Sequence, residues 1–203
     1  MNLSNQLTLS RFVLAFMMSV LLTGPYVPFG KTLGLIVFAL AGLTDYLDGR
    51  LARSYRTVTA FGQLMDPLAD KVLVCSAFVS FAAWNQIVPV WIVVAILTRE
   101  FLVTGLRLLA GSRGIILPAE TWGKRKTVWQ IIVIVVIILG EAVRREILPL
   151  WLPPAELAAF LDRYYNTAFE YLSYIISALV AVVTLLSGAY YFHRNRDLVM
   201  SHA

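Results

Sequence analysis

Long apolar runs dominate this chain and leave it few ways to fold. They can be read at about residues 9–29, 32–47, 67–84, 87–106, 127–143 and 171–192 of a chain of 203. A hydrocarbon core about 30 Å thick takes roughly 20 helical residues to cross, so each run is near the length of one membrane helix. The runs are continuous, not alternating, and in lipid only helices and closed barrels satisfy the backbone, so helices are expected. With 59% hydrophobic and 14% charged residues, the chain has more apolar side chain than one soluble core of its size would bury. The expected fold class is all-α: a polytopic membrane protein of six transmembrane helices in a single domain over 1–203, with no room for a separate soluble domain.

The opening MNLSNQLTLSRF has neither a positive cluster before a short apolar run nor a small-residue cleavage site, so the first span is expected to stay in the mature protein. The single cysteine, Cys75, lies inside an apolar run, which excludes an intrachain disulfide framework. Histidine occurs only at His193 and His202, too sparsely for an imidazole metal site, so any metal must be held mainly by carboxylates. The net charge of +5 and pI near 9.5 would suit nucleic acid, but the basic residues are sorted into short segments between apolar runs. That is the membrane pattern, and no nucleic-acid partner is expected.

The same sorting orients the chain, because short loops rich in Lys and Arg stay in the cytoplasm. Arg50, Arg53 and Arg56 mark one cytoplasmic loop; Arg107, Arg113, Lys124, Arg125 and Lys126 mark a second; Arg194 and Arg196 mark a cytoplasmic tail. Lys31 and the longer segment 144–170 fall on the other side, where Glu146, Glu156, Asp162 and Glu170 offset Arg144, Arg145 and Arg163.

All acidic residues of the first 99 positions lie between 45 and 70: Asp45-Tyr-Leu-Asp48-Gly49-Arg-Leu-Ala52-Arg53, eight residues, then Gly62-Gln-Leu-Met-Asp66-Pro-Leu-Ala-Asp70-Lys71. Residues three or four apart share a helix face, so Asp45 pairs with Asp48 and Asp66 with Asp70. The pairs end one span and begin the next, and antiparallel neighbours would bring all four carboxylates to the inner boundary of the membrane. Crowded carboxylates repel one another and are driven toward protonation unless cations balance them. Two divalent ions would match the charge, and oxygen-only ligands suit Mg²⁺, Mn²⁺ or Ca²⁺. Gly49 and Gly62 leave space for close approach, Arg53 suits bidentate contact with a pyrophosphate, and Pro67 either begins the third helix or kinks it. Surface pairing of these acids with Arg50, Arg53, Arg56 and Lys71 would explain one Asp–Arg pair. It does not explain eight specified letters, whose chance occurrence at about 5% each is on the order of 10⁻¹⁰ per starting position.

Letter for letter, the stretch resembles the D-x-x-D-G-x-x-A-R, eight residues, G-x-x-x-D-x-x-x-D motif of the CDP-alcohol phosphatidyltransferases. The resemblance implies a six-helix membrane enzyme, usually homodimeric, with two divalent ions, Mg²⁺ or Mn²⁺, in a site open to the cytoplasm of the bacterial inner membrane. It implies Asp45, Asp48, Asp66 and Asp70 as metal ligands, Asp70 as proton acceptor as well, and Gly49 and Arg53 as contacts of the CDP moiety. Thr59 lies where the family often places a hydroxyl on the nucleotide phosphates. Asn5-Gln-Leu-Thr8-Leu-Ser-Arg11 is similar to the family's start, a short amphipathic segment before the first span. Arg99-Glu100-Phe-Leu-Val-Thr-Gly-Leu-Arg107 and Gly123-Lys124-Arg-Lys126-Thr127-Val-Trp-Gln130 resemble the phosphatidylglycerophosphate synthase branch. That branch implies CDP-diacylglycerol and glycerol 3-phosphate as substrates, with Arg107, Lys124 and Lys126 around the acceptor phosphate. Asp66-Pro-Leu-Ala-Asp70-Lys71 is shared with cardiolipin synthases of the same fold, which leaves that acceptor as the alternative.

Other residues carry two readings each. Arg99 and Glu100 fall in an apolar run, where charge lines a cavity or forms a buried structural pair. Lys71 either balances site charge or reaches the interface by snorkelling, the slightly preferred reading. Glu141 reads as an interfacial helix end. Trp84, Trp91, Trp122, Trp129 and Trp151 fit an interfacial belt, and Gly30 with Gly34 makes a weak small-xxx-small hint of a dimer. A small cation transporter is the rival function, but its acids should spread through the membrane depth, ideally in two related halves; here they cluster in one hairpin.

The charge sorting predicts that 49–62 and 107–126 face the cytoplasm and 144–170 the other side. In right-side-out vesicles, an impermeant thiol reagent should label a cysteine placed at 160 and spare one placed at 56; the opposite pattern would invert the topology.

Overall fold

The computed structural model describes residues 3–25, 27–55, 60–84, 86–112, 114, 115 and 121–196, with side chains described except at 3–8, 45–55, 60–64, 66, 67, 70 and 121–125. Among the described residues every regular element is helical. The chain forms α1 (Leu3–Thr23), α2 (Gly30–Tyr55), α3 (Ala60–Ala83), α4 (Val90–Ser112) and α5 (Thr121–Ala142). Two short helices, α6 (Leu148–Trp151) and α7 (Pro154–Phe160), then lead into α8 (Asn166–Arg194). Single π-helical turns, Val143–Ile147 and Leu161–Tyr165, lie on either side of the short pair. The segment 144–170 is therefore largely helical.

At the aspartate motif one expectation changes and one open choice narrows. Arg50 and Arg53 are not in a loop: α2 continues through them to Tyr55 and α3 resumes at Ala60. A charged stretch at a membrane edge can remain helical because its backbone bonds are internal, and 45–55 contains no proline. Pro67 does not begin the third helix, which starts at Ala60 and passes through it.

One continuous helical stretch among the described residues, Pro154–Arg194, is long and apolar enough by itself to cross a membrane. Any 18-residue length of α4 includes Arg99, Glu100 and Arg107, so α4 does not pass as a membrane span on length and apolarity alone. The outer surface is apolar: Val13, Phe16, Leu150, Leu179 and Leu186 are each more than 60% exposed, which suits lipid and not water.

Small residues set the helix spacing. A Cβ at Gly30 would lie 2.8 Å from the Leu21 carbonyl oxygen, and one at Gly34 would lie 2.8 Å from the Leu22 side chain. The small pair is thus occupied within the chain, where α2 packs on α1. On α8, Ser173, Ser177, Ala181, Thr184 and Gly188 form a buried row at the three- and four-residue spacing that lets helices approach closely, and α8 packs there on α4 and α5. The interior is filled by Met18, Phe78, Ile92, Ile96, Ile134 and Ile137, all fully buried. Trp91, Trp129 and Trp151 are exposed, whereas Trp84 lies under Lys31, whose Nζ is 3.9 Å from the ring centroid, and near Arg145, at 5.1 Å.

The end of the bundle where α1 meets α2 is closed by polar contacts. The Lys31 ammonium donates to the Leu22 carbonyl. Glu146, in the π turn after α5, accepts from the Lys31 and Thr32 backbone amides at 2.6 and 2.9 Å and from the Thr32 hydroxyl at 2.6 Å. It thereby caps the first turn of α2 from outside that helix. Glu141 is not a simple interfacial helix end: it is buried and pairs with Arg145 at 2.7 Å and Arg144 at 3.5 Å.

Glu146→Ala should therefore lower the thermal midpoint of the detergent-solubilised protein. The cost is about 1.5–3 kcal/mol for hydrogen bonds to a charged acceptor, and Glu146→Gln should recover part of it. An unchanged midpoint in Glu146→Ala would show that the cap does not hold α2.

Candidate active site

At the other end, α2 and α3 approach their connection and carry the two aspartate pairs. The side chains of Asp45, Asp48, Arg53, Asp66, Asp70 and Lys124 lie outside the described residues, as does all of Thr59; the helices that carry the others are described. A cavity of about 510 Å³ lies between α2, α3 and α5, lined by Leu35, Phe38, Ala41 and Gly42 of α2 and by Ala69, Lys71, Leu73 and Val74 of α3. Thr127, Gln130, Ile131 and Val135 of α5, Glu100 of α4 and the buried Arg11 of α1 complete its wall.

Helical register links this cavity to the motif. On α2, the lining positions 35, 38 and 41–42 continue at three- and four-residue steps into Asp45, Asp48 and Gly49. On α3, Leu73 and Val74 step back by three or four to Asp70, and by another four to Asp66. Lys124 is three residues before Thr127 on the lining row of α5. Periodicity thus puts both aspartate pairs on helix rows that border one cavity.

The described polar groups at this end converge on Glu100, which is 1% exposed. Its carboxylate pairs with Lys126 of α5, with Lys71 of α3 at 3.4 Å and with Arg99 of α4 at 3.5 Å. Gln130 donates to it from α5 at 3.3 Å. Arg99 also donates to the Ser187 hydroxyl of α8 at 2.6 Å, and Gly188 leaves room for the arginine stem, since a Cβ there would lie 2.7 Å from Arg99 Cγ. One buried carboxylate therefore ties α3, α4 and α5 together, and Arg99 extends the link to α8.

These contacts settle two of the paired readings. Lys71 turns inward to Glu100 instead of snorkelling, and Arg99 with Glu100 is both a buried pair and, through Glu100, part of the cavity wall. Lys126 is 2% exposed and held by Glu100. Arg107 makes a separate contact: α4 continues past it to Ser112, and its Nε donates to the Tyr191 hydroxyl of α8 at 3.2 Å, with the guanidinium 5.2 Å from that ring. The structure groups Lys71 and Lys126 but sets Arg107 against α8.

Gln130, Ser187, Gly188 and Arg11 were given no site role by the sequence reading. A polar side chain inside an apolar run was the available signal for Gln130 and Ser187. The room that Gly188 provides for Arg99 was visible only once α4 and α8 were packed together. Glu100 is engaged by cations and so is poorly suited to ligate a metal.

Comparison with known proteins bears on this arrangement. A family model described as CDP-alcohol phosphatidyltransferase matches residues 1–179. A Bacillus subtilis protein named CDP-diacylglycerol–glycerol-3-phosphate 3-phosphatidyltransferase is 33% identical over 209 residues, covering 96% of this chain and 95% of its own length. A Rickettsia bellii protein of the same name is 36% identical over 142 residues, 69% of this chain and 76% of its own. A Mycobacterium tuberculosis protein named probable phosphatidylglycerophosphate synthase is 41% identical over 140 residues, 68% of this chain and 66% of its own. With the aspartate motif intact on two helices that border one cavity, and the family match running through most of the sequence, this chain belongs to the CDP-alcohol phosphatidyltransferase family.

Proposed function

We propose that the protein transfers the phosphatidyl group of CDP-diacylglycerol to glycerol 3-phosphate, giving phosphatidylglycerol phosphate and CMP in phospholipid biosynthesis. The observation that carries this reading is the near end-to-end match to the Bacillus subtilis 3-phosphatidyltransferase, in a chain whose two aspartate pairs continue the lining rows of one cavity. The primary hydroxyl of the acceptor attacks the lipid-linked phosphorus, the pyrophosphate bond to CMP breaks, and the hydroxyl proton passes to Asp70. That role requires a carboxylate within hydrogen-bond reach of the acceptor oxygen. Gly49 and Arg53 hold the CDP part of the donor, with Thr59 on its phosphates.

Four carboxylates with oxygen-only donors fit hard divalent cations. Asp45, Asp48, Asp66 and Asp70 would hold two of them, Mg²⁺ or Mn²⁺, which supply charge neutralisation at the attacked phosphorus and the departing CMP. The cavity is amphiphilic: Leu35, Phe38, Ile131 and Val135 offer an apolar wall to the donor's diacyl tails, while Lys71 and Gln130 offer polar groups to the acceptor. Diacyl tails can then remain in the bilayer as the head group reaches water. Lys124 and Lys126 on α5 serve the acceptor phosphate, with Arg107 of α4 as an outer contributor.

The six long helices are each proposed to cross the bacterial inner membrane, with the aspartate end facing the cytoplasm and the protein acting as a homodimer. The apolar outer surface and the sorting of Lys and Arg support this topology.

Asp66→Asn and Asp70→Asn should each reduce turnover by a factor on the order of 10² or more while leaving a folded membrane protein. Chelator-stripped wild type should regain activity when Mg²⁺ or Mn²⁺ is returned. Near-normal turnover in Asp70→Asn would remove it from the base role. In competition, labelled glycerol 3-phosphate should be consumed in preference to phosphatidylglycerol; the reverse would make the enzyme a cardiolipin synthase with the same metal site.

A further inference from the structure

The Glu100 carboxylate has no place in the motif chemistry, yet it is the group on which the described charges at this end converge. It is 1% exposed, forms part of the cavity wall, and receives Lys71 from α3, Lys126 and Gln130 from α5, and its neighbour Arg99. A structural ion pair needs one partner. Here two lysines from different helices meet on one carboxylate beside a cavity, although lysine is the cation whose long flexible stem fixes its charge least well.

We propose that Glu100 is a positioning residue for the acceptor: it holds Lys71 at the polar wall of the cavity and the buried Lys126 behind that wall, where the two together attract the phosphate monoester of glycerol 3-phosphate. This rests on the acceptor reading above. Glu100 itself touches neither substrate. Its carboxylate gives the two lysine stems, which come from different helices, one common anchor and so holds their heads close together. Gln130 fixes one carboxylate oxygen from α5, and Arg99, anchored on Ser187, holds the same side from α4. The carboxylate therefore has little freedom to follow a lysine that moves.

A double-mutant cycle tests this, with KM measured for both substrates on purified protein. Glu100→Gln should raise the KM for glycerol 3-phosphate about ten-fold, the scale on which loss of an orienting outer partner is felt. The KM for CDP-diacylglycerol should stay within about two-fold. Glu100→Asp, which restores the charge with a shorter reach, should fall between wild type and Glu100→Gln. Lys126→Met should raise the same KM, and Glu100→Gln made in Lys126→Met should raise it by less than Glu100→Gln does in wild type, because only Lys71 is then left for Glu100 to hold.

Full additivity, or equal rises in both KM values, would give Glu100 a purely structural role and overturn the proposal. If Lys126→Met raises the acceptor KM and Glu100→Gln does not, the Glu100 proposal falls and the acceptor reading stands. If Lys126→Met leaves that KM unchanged, the assignment of Lys126 to the acceptor falls and the proposal with it. Should Glu100→Gln fail to fold, Glu100→Asp decides: an acceptor-specific rise supports the role, and an unchanged KM refutes it.

Discussion

A carboxylate inside a bundle of apolar helices persists only where cations come to it, and Glu100 draws them from three helices. Breaking a buried ion pair by removing one partner costs about 3–5 kcal/mol, several times the roughly 0.6 kcal/mol average of an interhelical hydrogen bond in a membrane bundle. Separating α3, α4 and α5 would strand several charges at once. Their relative placement therefore depends more on this cluster than on any neutral polar contact in the bundle. Because α3 also carries Asp66 and Asp70, whatever fixes α3 against α4 and α5 fixes half of the aspartate motif.

The two ends of the bundle use charge differently. Where α1 turns into α2, Glu146 and Glu141 are matched by the α2 amides, Arg144 and Arg145, and Lys31 rests on Trp84. Those groups close on one another and tie the exit of α5 to the start of α2. At the opposite end, Lys71, Glu100 and Gln130 remain on a cavity wall, within reach of a ligand. A chain that needed charge only to hold its helices would have little use for that second arrangement.

Packing of small against large residues makes the arrangement possible. Gly188 admits the stem of Arg99, and Gly30 with Gly34 admits Leu21 and Leu22. The first brings α8 close enough for Ser187 to hold Arg99; the second brings α1 against α2, whose cavity row leads to Asp45 and Asp48. Family membership, shown by the match over residues 1–179, accords with a site built from helix ends and the rows behind them.

Much of this was legible in the sequence, because lipid permits few backbone structures and because helical periodicity is local. Apolar run lengths gave an all-helical chain, and three- and four-residue spacing paired Asp45 with Asp48 and Asp66 with Asp70. The limits of those helices were less legible: Arg50 and Arg53 read as loop because charge interrupts an apolar run, yet α2 continues through them on its own backbone bonds. Lys71, Lys126, Arg99 and Glu100 could be recognised as charges needing partners, but not matched, since a lysine stem reaches across several helices and its partner depends on which of them are neighbours. Arg107 shows the same limit, grouped in sequence with Lys126 but held in space by Tyr191. Local spacing therefore determined which residues share a face, and tertiary packing alone decided which faces meet.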